Sequence, residues 1–386
     1  MIPRKRLPIS FGLVCCFALF GIAMKATGGE PVYVVAADGP DRGAVQPQAA
    51  VDANGRIYVV FGRENTIRCA ISDDEGKTFA VFTVGEVPEL SLGMRRGPRI
   101  AATEGRIVVT AIGGTIGKGR DGDVLCWQSK DDGKTWAGPS RVNTVDGSAR
   151  EGLHGMASGP GGSVFCTWLD LRNRTSEIFG ARSKDGGATW EPDGLVYRSP
   201  DKSVCECCHP SAAYGPDGAL HVMWRNQLKG ARDLYLARSE DGGKTFGKAE
   251  KLGSGTWQLN ACPMDGGAIA AGPGKAIETV WMRSGAMFSA KPGEKEKTLG
   301  RGVQGWTALN ADGAYTVWLE KRPGKLLALL PGQKGPMTLA EQASDPMIAA
   351  GLGGQGPVVA VWEVKSEGGG ISAQVLAPRS KTPPLP

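Results

Sequence analysis

Short apolar and polar alternations recur along the chain from about residue 45 onward, with Gly- or Pro-bearing turns between them. Ala314 to Leu319 and Pro357 to Trp362 show the two-residue period of strands, and no window carries the 3.6-residue apolar period of an amphipathic helix. A longer phrase repeats: a Pro or His entry, an alternating strand, a Gly turn, then a hydrophobic strand ending near an aromatic. It runs Pro47 to Phe61, Pro98 to Ile112, His154 to Trp168, Pro210 to Trp224, Pro263 to Trp281, Trp306 to Trp318 and Pro346 to Trp362. Recurrence at this length marks one supersecondary unit repeated along the chain. The pattern predicts an all-β fold, a β-propeller with four-stranded blades. Seven blades fit the phrase best, with six as the alternative. The strand from Val32 to Ala36 precedes the first unit and is expected to complete the last blade.

The first four units carry a second signature, S-x-D-x-G-x-T-[WF], beginning at Ser72, Ser129, Ser183 and Ser239, which are 57, 54 and 56 residues apart. Asp74, Asp131, Asp185 and Asp241 are its acidic members. An Asp in a tight turn accepts hydrogen bonds from its own backbone, and a Gly supplies the positive φ. These four aspartates are therefore read as structural. The motif resembles the Asp box of the sialidase (neuraminidase) superfamily of BNR-repeat propellers, and the resemblance implies a glycan-directed protein. Sialidases use an arginine triad on a carboxylate, a Tyr nucleophile paired with a Glu, and an Asp acid/base. Their Arg-Ile-Pro phrase is absent here, the nearest text being Arg95-Arg96-Gly97-Pro98-Arg99-Ile100. Tyr315 is the candidate nucleophile. Arg63, Arg99, Arg225 and Arg283, at or near strand ends, are candidates for an anion site on the axis or for ion pairs on the propeller face. Asp123, Glu177 and Asp233, each six residues before the Ser of a box, repeat too regularly for catalysis and are expected to hold loops.

Composition narrows the setting. Arg4, Lys5 and Arg6 precede an apolar run from about Ile9 to Met24, with small residues at Ala23 and Ala26, which reads as a signal peptide over 1–26. The rest is expected to be one propeller domain over 27–380 and a Pro-rich tail over 381–386, secreted or periplasmic, monomeric, with no membrane span after cleavage. The formal charge of +6 falls to about +2 without the leader, and no Lys/Arg cluster suits a phosphate backbone, so nucleic acid is excluded as a partner. A carbohydrate or protein ligand is expected.

Cysteine and histidine usage breaks the repeat. Cys69, Cys126 and Cys166 fall within strands and read as core thiols. Cys205, Cys207, Cys208 and His209 open the fourth unit, Cys262 and Met264 open the fifth, and His154 and Met156 open the third. Blade entries gather near the axis on one face, so these side chains are expected to meet. Two disulfides, one local and one tying Cys262 to the fourth blade, suit an oxidising compartment. A soft ligand set for copper or zinc suits the same atoms. Two functions follow: a glycan-directed hydrolase or its non-catalytic relative with an axial ligand, or a metal-binding or partner-binding propeller built on the Cys/His entries.

Overall fold

Strands that pack on both faces need apolar residues at every position, and strands at the rim do not. The computed structural model, which describes residues 31–351, 354, 356–365 and 369–379, follows this rule. The signal peptide expected over 1–26 and the Pro-rich tail expected over 381–386 lie outside the described residues. Middle strands such as Ile57–Arg63 and Val164–Asp170 are buried almost throughout, whereas the outer strand Ala137–Arg141 is exposed along its length. Among the described residues there is no α-helix, only three short 3-10 turns, and no helix is long and apolar enough to cross a membrane.

The strands form five four-stranded antiparallel sheets, over residues 45–86, 99–141, 154–197, 211–251 and 268–301, and one seven-stranded sheet. These are the blades of a β-propeller. In the seven-stranded sheet the long strand Met337–Ala350 serves twice: its first half pairs with Gly324–Leu329 and its second half with Val358–Val364. Counting that sheet as one blade or as two separates a sixfold from a sevenfold ring. Tyr33–Ala36 pairs antiparallel with Ile371–Ala377 at its edge, so the N-terminal strand finishes the sheet begun by the C-terminus.

The innermost strands are Val45–Val51, Arg99–Thr103, His154–Ser158, Ser211–Tyr214, Ala268–Ala271, Val303–Asn310 and the second half of Met337–Ala350. Each packs on the next, and the last packs on the first. They surround a channel whose exit end is lined by small side chains, among them Ala50, Ala102, Ala157, Ala213, Ala271, Ala308 and Ala350. Converging strands leave no room there for larger residues.

Between blades the aromatics fill the core. Phe61, Trp168, Trp224, Trp281, Trp318 and Trp362 are buried, four of the tryptophans completely, so truncating one to Ala costs about 3–5 kcal/mol. The Asp boxes close the turn between the third and outer strands. In each, the Ser hydroxyl donates to Asp Oδ1 at 2.8 Å, the box Gly N–H donates to the Ser oxygen, and the Thr N–H and hydroxyl donate to the two Asp oxygens. The box glycines have φ of 82°, 83°, 78° and 97°, which a Cβ would strain. Asp123, Glu177 and Asp233 hold the loops that lead to the next blade: Asp123 takes the Gly147 N–H, Glu177 takes Arg198, and Asp233 takes the Trp257 N–H.

These bonds to the charged carboxylate, first of all the Thr135 N–H, hold Asp131 down at about 2. Its contribution to stability is therefore complete above the unfolded value of about 3.9 and is lost as pH falls through the folded value. Asp131→Ala should lower the melting temperature at neutral pH, with the gap to wild type closing as pH falls from about 4 to about 2. Calorimetry across that range checks this, and a gap independent of pH would refute the hydrogen-bonding account.

Candidate functional site

The chain enters each innermost strand on one face of the ring, opposite the Asp boxes. Neighbouring entries press together so closely that a Cβ on Gly266 would lie 1.9 Å from the His209 carbonyl oxygen. Around this mouth five non-glycine residues adopt left-handed backbone: Gln46 (φ 57°), Arg95 (63°), Met264 (54°), Gln304 (59°) and Asp345 (46°). Each such residue costs roughly 1–2 kcal/mol, and strain of this kind concentrates where side chains must be aimed.

The strained backbone aims a belt of polar groups across the mouth. The Gln304 N–H donates to Asp265 Oδ2 at 2.7 Å and its side-chain amide donates to Asp345 Oδ1 at 3.0 Å. Arg322 donates to Asp345 Oδ2 at 2.6 Å. On the other side the Gln46 N–H donates to Glu363 Oε1 at 2.7 Å, joining residues 317 positions apart. Arg95 completes the belt. Its Nη2 lies 3.5 Å from Asp265 Oδ1, its guanidinium carbon lies 5.2 Å from the centre of the Trp306 ring, and its side chain is 3 % exposed. Neither its Nε nor its Nη2 has a hydrogen-bond partner. Burial pushes the Arg95 guanidinium down, and the carboxylates of Asp265 and Asp345 oppose that. An arginine stays protonated even so, and a buried cation with unused donors is a demand for an anion.

His209 stacks on the other neighbour of this site, Trp306, at 5.6 Å between ring centres. Both of its nitrogens are buried without a partner, and burial, with Arg95 and Arg99 nearby, keeps it neutral. Below the mouth the channel holds a cavity of about 120 Å³ bordered by Gln48, Ser211, Trp306 and Thr307. A larger concavity of about 560 Å³ lies at the periphery, around His221, Arg238 and Pro292, away from the belt. On the entry face Glu151, 29 % exposed and 4.0 Å from Arg96, is pushed up by partial burial.

The arginines expected on the axis are engaged elsewhere. Arg99 is buried and donates to five backbone carbonyls, of Arg95, Arg96, Gly97, Pro98 and His154. Arg225 is buried and donates to the carbonyls of Arg232, Asp265 and Met282. Both pin loops to neighbouring blades, with a carbonyl partner on every guanidinium nitrogen. Arg63 donates to the Arg42 carbonyl and pairs with Glu64, and Arg283 pairs with Glu296 while lying over Phe288. Tyr315 is buried in the core between the last two repeats, and its hydroxyl reaches only Asp312, 3.5 Å away in the turn at the far end of the inner strand. No arginine accompanies it, so the tyrosine and arginines expected of a sialidase centre do not converge.

The entries of the fourth and fifth blades do bring sulfur together. Cys207 and Cys262 form a disulfide with Cα atoms 6.2 Å apart, the expected tie between the two blades. Cys205 and Cys208 remain thiols that share a hydrogen bond at 3.1 Å, in place of the expected local disulfide. Their Sγ atoms lie 3.8 and 4.0 Å from that of Cys207, and Met264 Sδ lies 3.5 Å from Cys262 Sγ. The shared hydrogen bond, with Arg232 and Arg225 nearby, holds the Cys205 thiol down, while burial pushes Cys208 up. His209 and His154 do not join: the first turns to Trp306, and the second shares a hydrogen bond with Thr110, as does Met156. Cys69, Cys126 and Cys166 are buried core thiols, as expected, with Cys126 pushed up to about 12 by burial.

Arg95, Asp265, Gln304, Asp345 and Glu363 were not singled out from the sequence. The available signal was position: Gln46 and Asp345 each precede the proline of a blade entry, as His209 does.

Comparison with known proteins places this geometry. Residues 96–272 match the model of the BNR repeat-like domain, a stretch that holds three of the four Asp boxes and all four clustered cysteines. A search of curated protein sequences finds no match. Among solved structures, a protein of unknown function from Dyadobacter fermentans is similar at 17 % identity, covering 90 % of this chain and 98 % of that one, with a TM-score of 0.53. An alpha-L-arabinanase from Penicillium chrysogenum, complexed with arabinobiose, is similar at 14 % identity, covering 89 % and 97 %, with a TM-score of 0.51. A PL25 ulvan lyase bound to a -[GlcA(1-4)Rha3S]- unit is similar at 14 % identity, covering 90 % and 96 %, with a TM-score of 0.57. At these identities the likeness is one of fold. Residues 96–272 are thus similar to the BNR repeat-like domain, and the fold around them is a β-propeller.

Proposed function

We propose that this is a seven-bladed, glycan-directed propeller that binds an anionic carbohydrate at the mouth of its central channel. The observation that carries the reading is Arg95, a buried guanidinium set against the Trp306 ring, whose Nε has no acceptor and whose Nη2 has only a 3.5 Å ion pair with Asp265. A carboxylate supplies the missing acceptors as a charge-assisted pair. A sugar ring presents apolar C–H faces that pack on an aromatic and hydroxyls that suit Gln46, Gln304 and the flanking carboxylates. The lyase of similar fold is bound to a glucuronate-bearing chain, which favours the acidic class of glycan. Seven innermost strands around the channel support the blade count. Tyr315 lies too far into the core to serve as nucleophile, so a sialidase mechanism is not part of the proposal.

Calorimetric titration with glucuronate-bearing oligosaccharides, and with the same chains after carboxyl reduction, tests it. The acidic chain should bind in a salt-sensitive manner and the reduced chain at least roughly tenfold more weakly, a difference of about 1.4 kcal/mol. Arg95→Met should remove that preference, and Arg95→Lys should retain part of it, both with melting temperatures recorded to separate folding from binding. Equal affinity for both chains, or a preference that survives Arg95→Met in folded protein, would overturn the proposal.

A further inference from the structure

We infer that Cys205, Cys207 and Cys208 form a redox-gated site for one thiophilic d10 cation, zinc(II) or copper(I), with a further sulfur from Met264 or Cys262.

Geometry is the first support. Among the described residues these three cysteines are the one group of three or more His, Cys, Asp or Glu side chains whose ligand atoms all lie within 4.8 Å of one another. Thiolates about 2.3 Å from zinc lie about 3.8 Å from each other. The observed Sγ separations are 3.8 Å for Cys205 and Cys207, 4.0 Å for Cys207 and Cys208, and 3.1 Å for Cys205 and Cys208. A cation between them needs sub-ångström side-chain shifts. The backbone is already fixed, since the Val204 N–H donates to the Ser176 carbonyl and the Cys205 N–H to the Arg225 carbonyl.

Charge is the second support. Three thiolates around a mono- or divalent cation leave net negative charge in a buried place, which must be offset. The guanidinium groups of Arg225 and Arg232 stand beside Cys205. Arg232 Nε is a buried donor with no partner, an independent sign that an acceptor belongs there.

The gate is the disulfide, which withdraws Cys207 from the set. Cys262 is exposed, so a dithiol reductant can reach its sulfur. The reductant gives two electrons and two protons: the bond between Cys207 and Cys262 breaks, two thiols form, and the reductant closes to its own disulfide. The cation then displaces the protons of Cys205, Cys207 and Cys208 to solvent. Thiol burial alone does not gather three sulfurs, since Cys69, Cys126 and Cys166 are buried without forming such a group.

The test titrates the full mature chain, before and after anaerobic reduction and removal of reductant, with zinc(II) and separately with copper(I), each against a chromophoric competitor. Circular dichroism and a melting curve accompany each sample. Reduced, folded protein should bind one equivalent of one of these ions, and the disulfide form should bind none that survives the competitor. Cys205→Ser and Cys208→Ser should each weaken binding roughly 100-fold or more, beyond the range for loss of a supporting residue. Cys262→Ser, purified without oxygen, should bind without any reductant because Cys207 is then permanently free. Failure of the reduced, folded protein to bind either ion, binding that survives both serine variants, or binding only after the fold has melted would each overturn the inference.

Discussion

Closure of the ring is the constraint on which the rest depends. Each blade has apolar faces that only a neighbouring blade can cover, and a ring of blades covers all of them only if its last member meets its first. Here Tyr33–Ala36 supplies the outer strand beside Ile371–Ala377, so the two ends of the chain lock together. Closure forces the innermost strands into a narrow circle, which explains the alanines at the exit end of the channel and the glycine contact between Gly266 and His209 at the mouth. It also joins side chains that no local folding could unite, such as Gln46 and Glu363.

A circle drawn that tightly has consequences for chemistry. Backbone crowded at the entries adopts left-handed conformations at Gln46, Arg95, Met264, Gln304 and Asp345, and the side chains of Gln46, Gln304 and Asp345 bond across blades. Most of their polar groups are satisfied within the belt. Arg95 is the exception, and that imbalance is what a ligand would correct. Asp265 joins the belt to Arg225: its carboxylate meets Arg95 and Gln304, and its carbonyl accepts from Arg225 Nε. The peripheral box aspartates, by contrast, direct their carboxylates at the turns they close.

Legibility in the sequence followed the distance over which each interaction acts. An Asp box is satisfied within eight residues, so its spelling and its structure coincide. The all-β architecture and the closing strand were legible because alternation and repetition are local and additive. The belt was not, because its members come from five blade entries and two further segments, and no one residue type recurs at every entry. Adjacency also misled: Cys208 and His209 are neighbours, but the residue before a proline is held extended, and successive side chains in extended chain point to opposite sides. One goes to the sulfurs and the other to Trp306. Arg99 and Arg225 misled for a related reason. A strand-end arginine facing the axis is an anion site only if its donors are free, and here crowded carbonyls consume them.

The central claim is that function resides at the channel mouth, with Arg95 as the anchor. The most direct measurement is a crystal structure of the protein soaked with a glucuronate-terminated oligosaccharide. The account predicts a carboxylate within hydrogen-bonding distance of Arg95 Nε and Nη2, with a sugar ring at the mouth beside Trp306 and the Asp boxes unoccupied. An ordered glycan bound elsewhere on the propeller, with both Arg95 nitrogens still unpartnered, would contradict it.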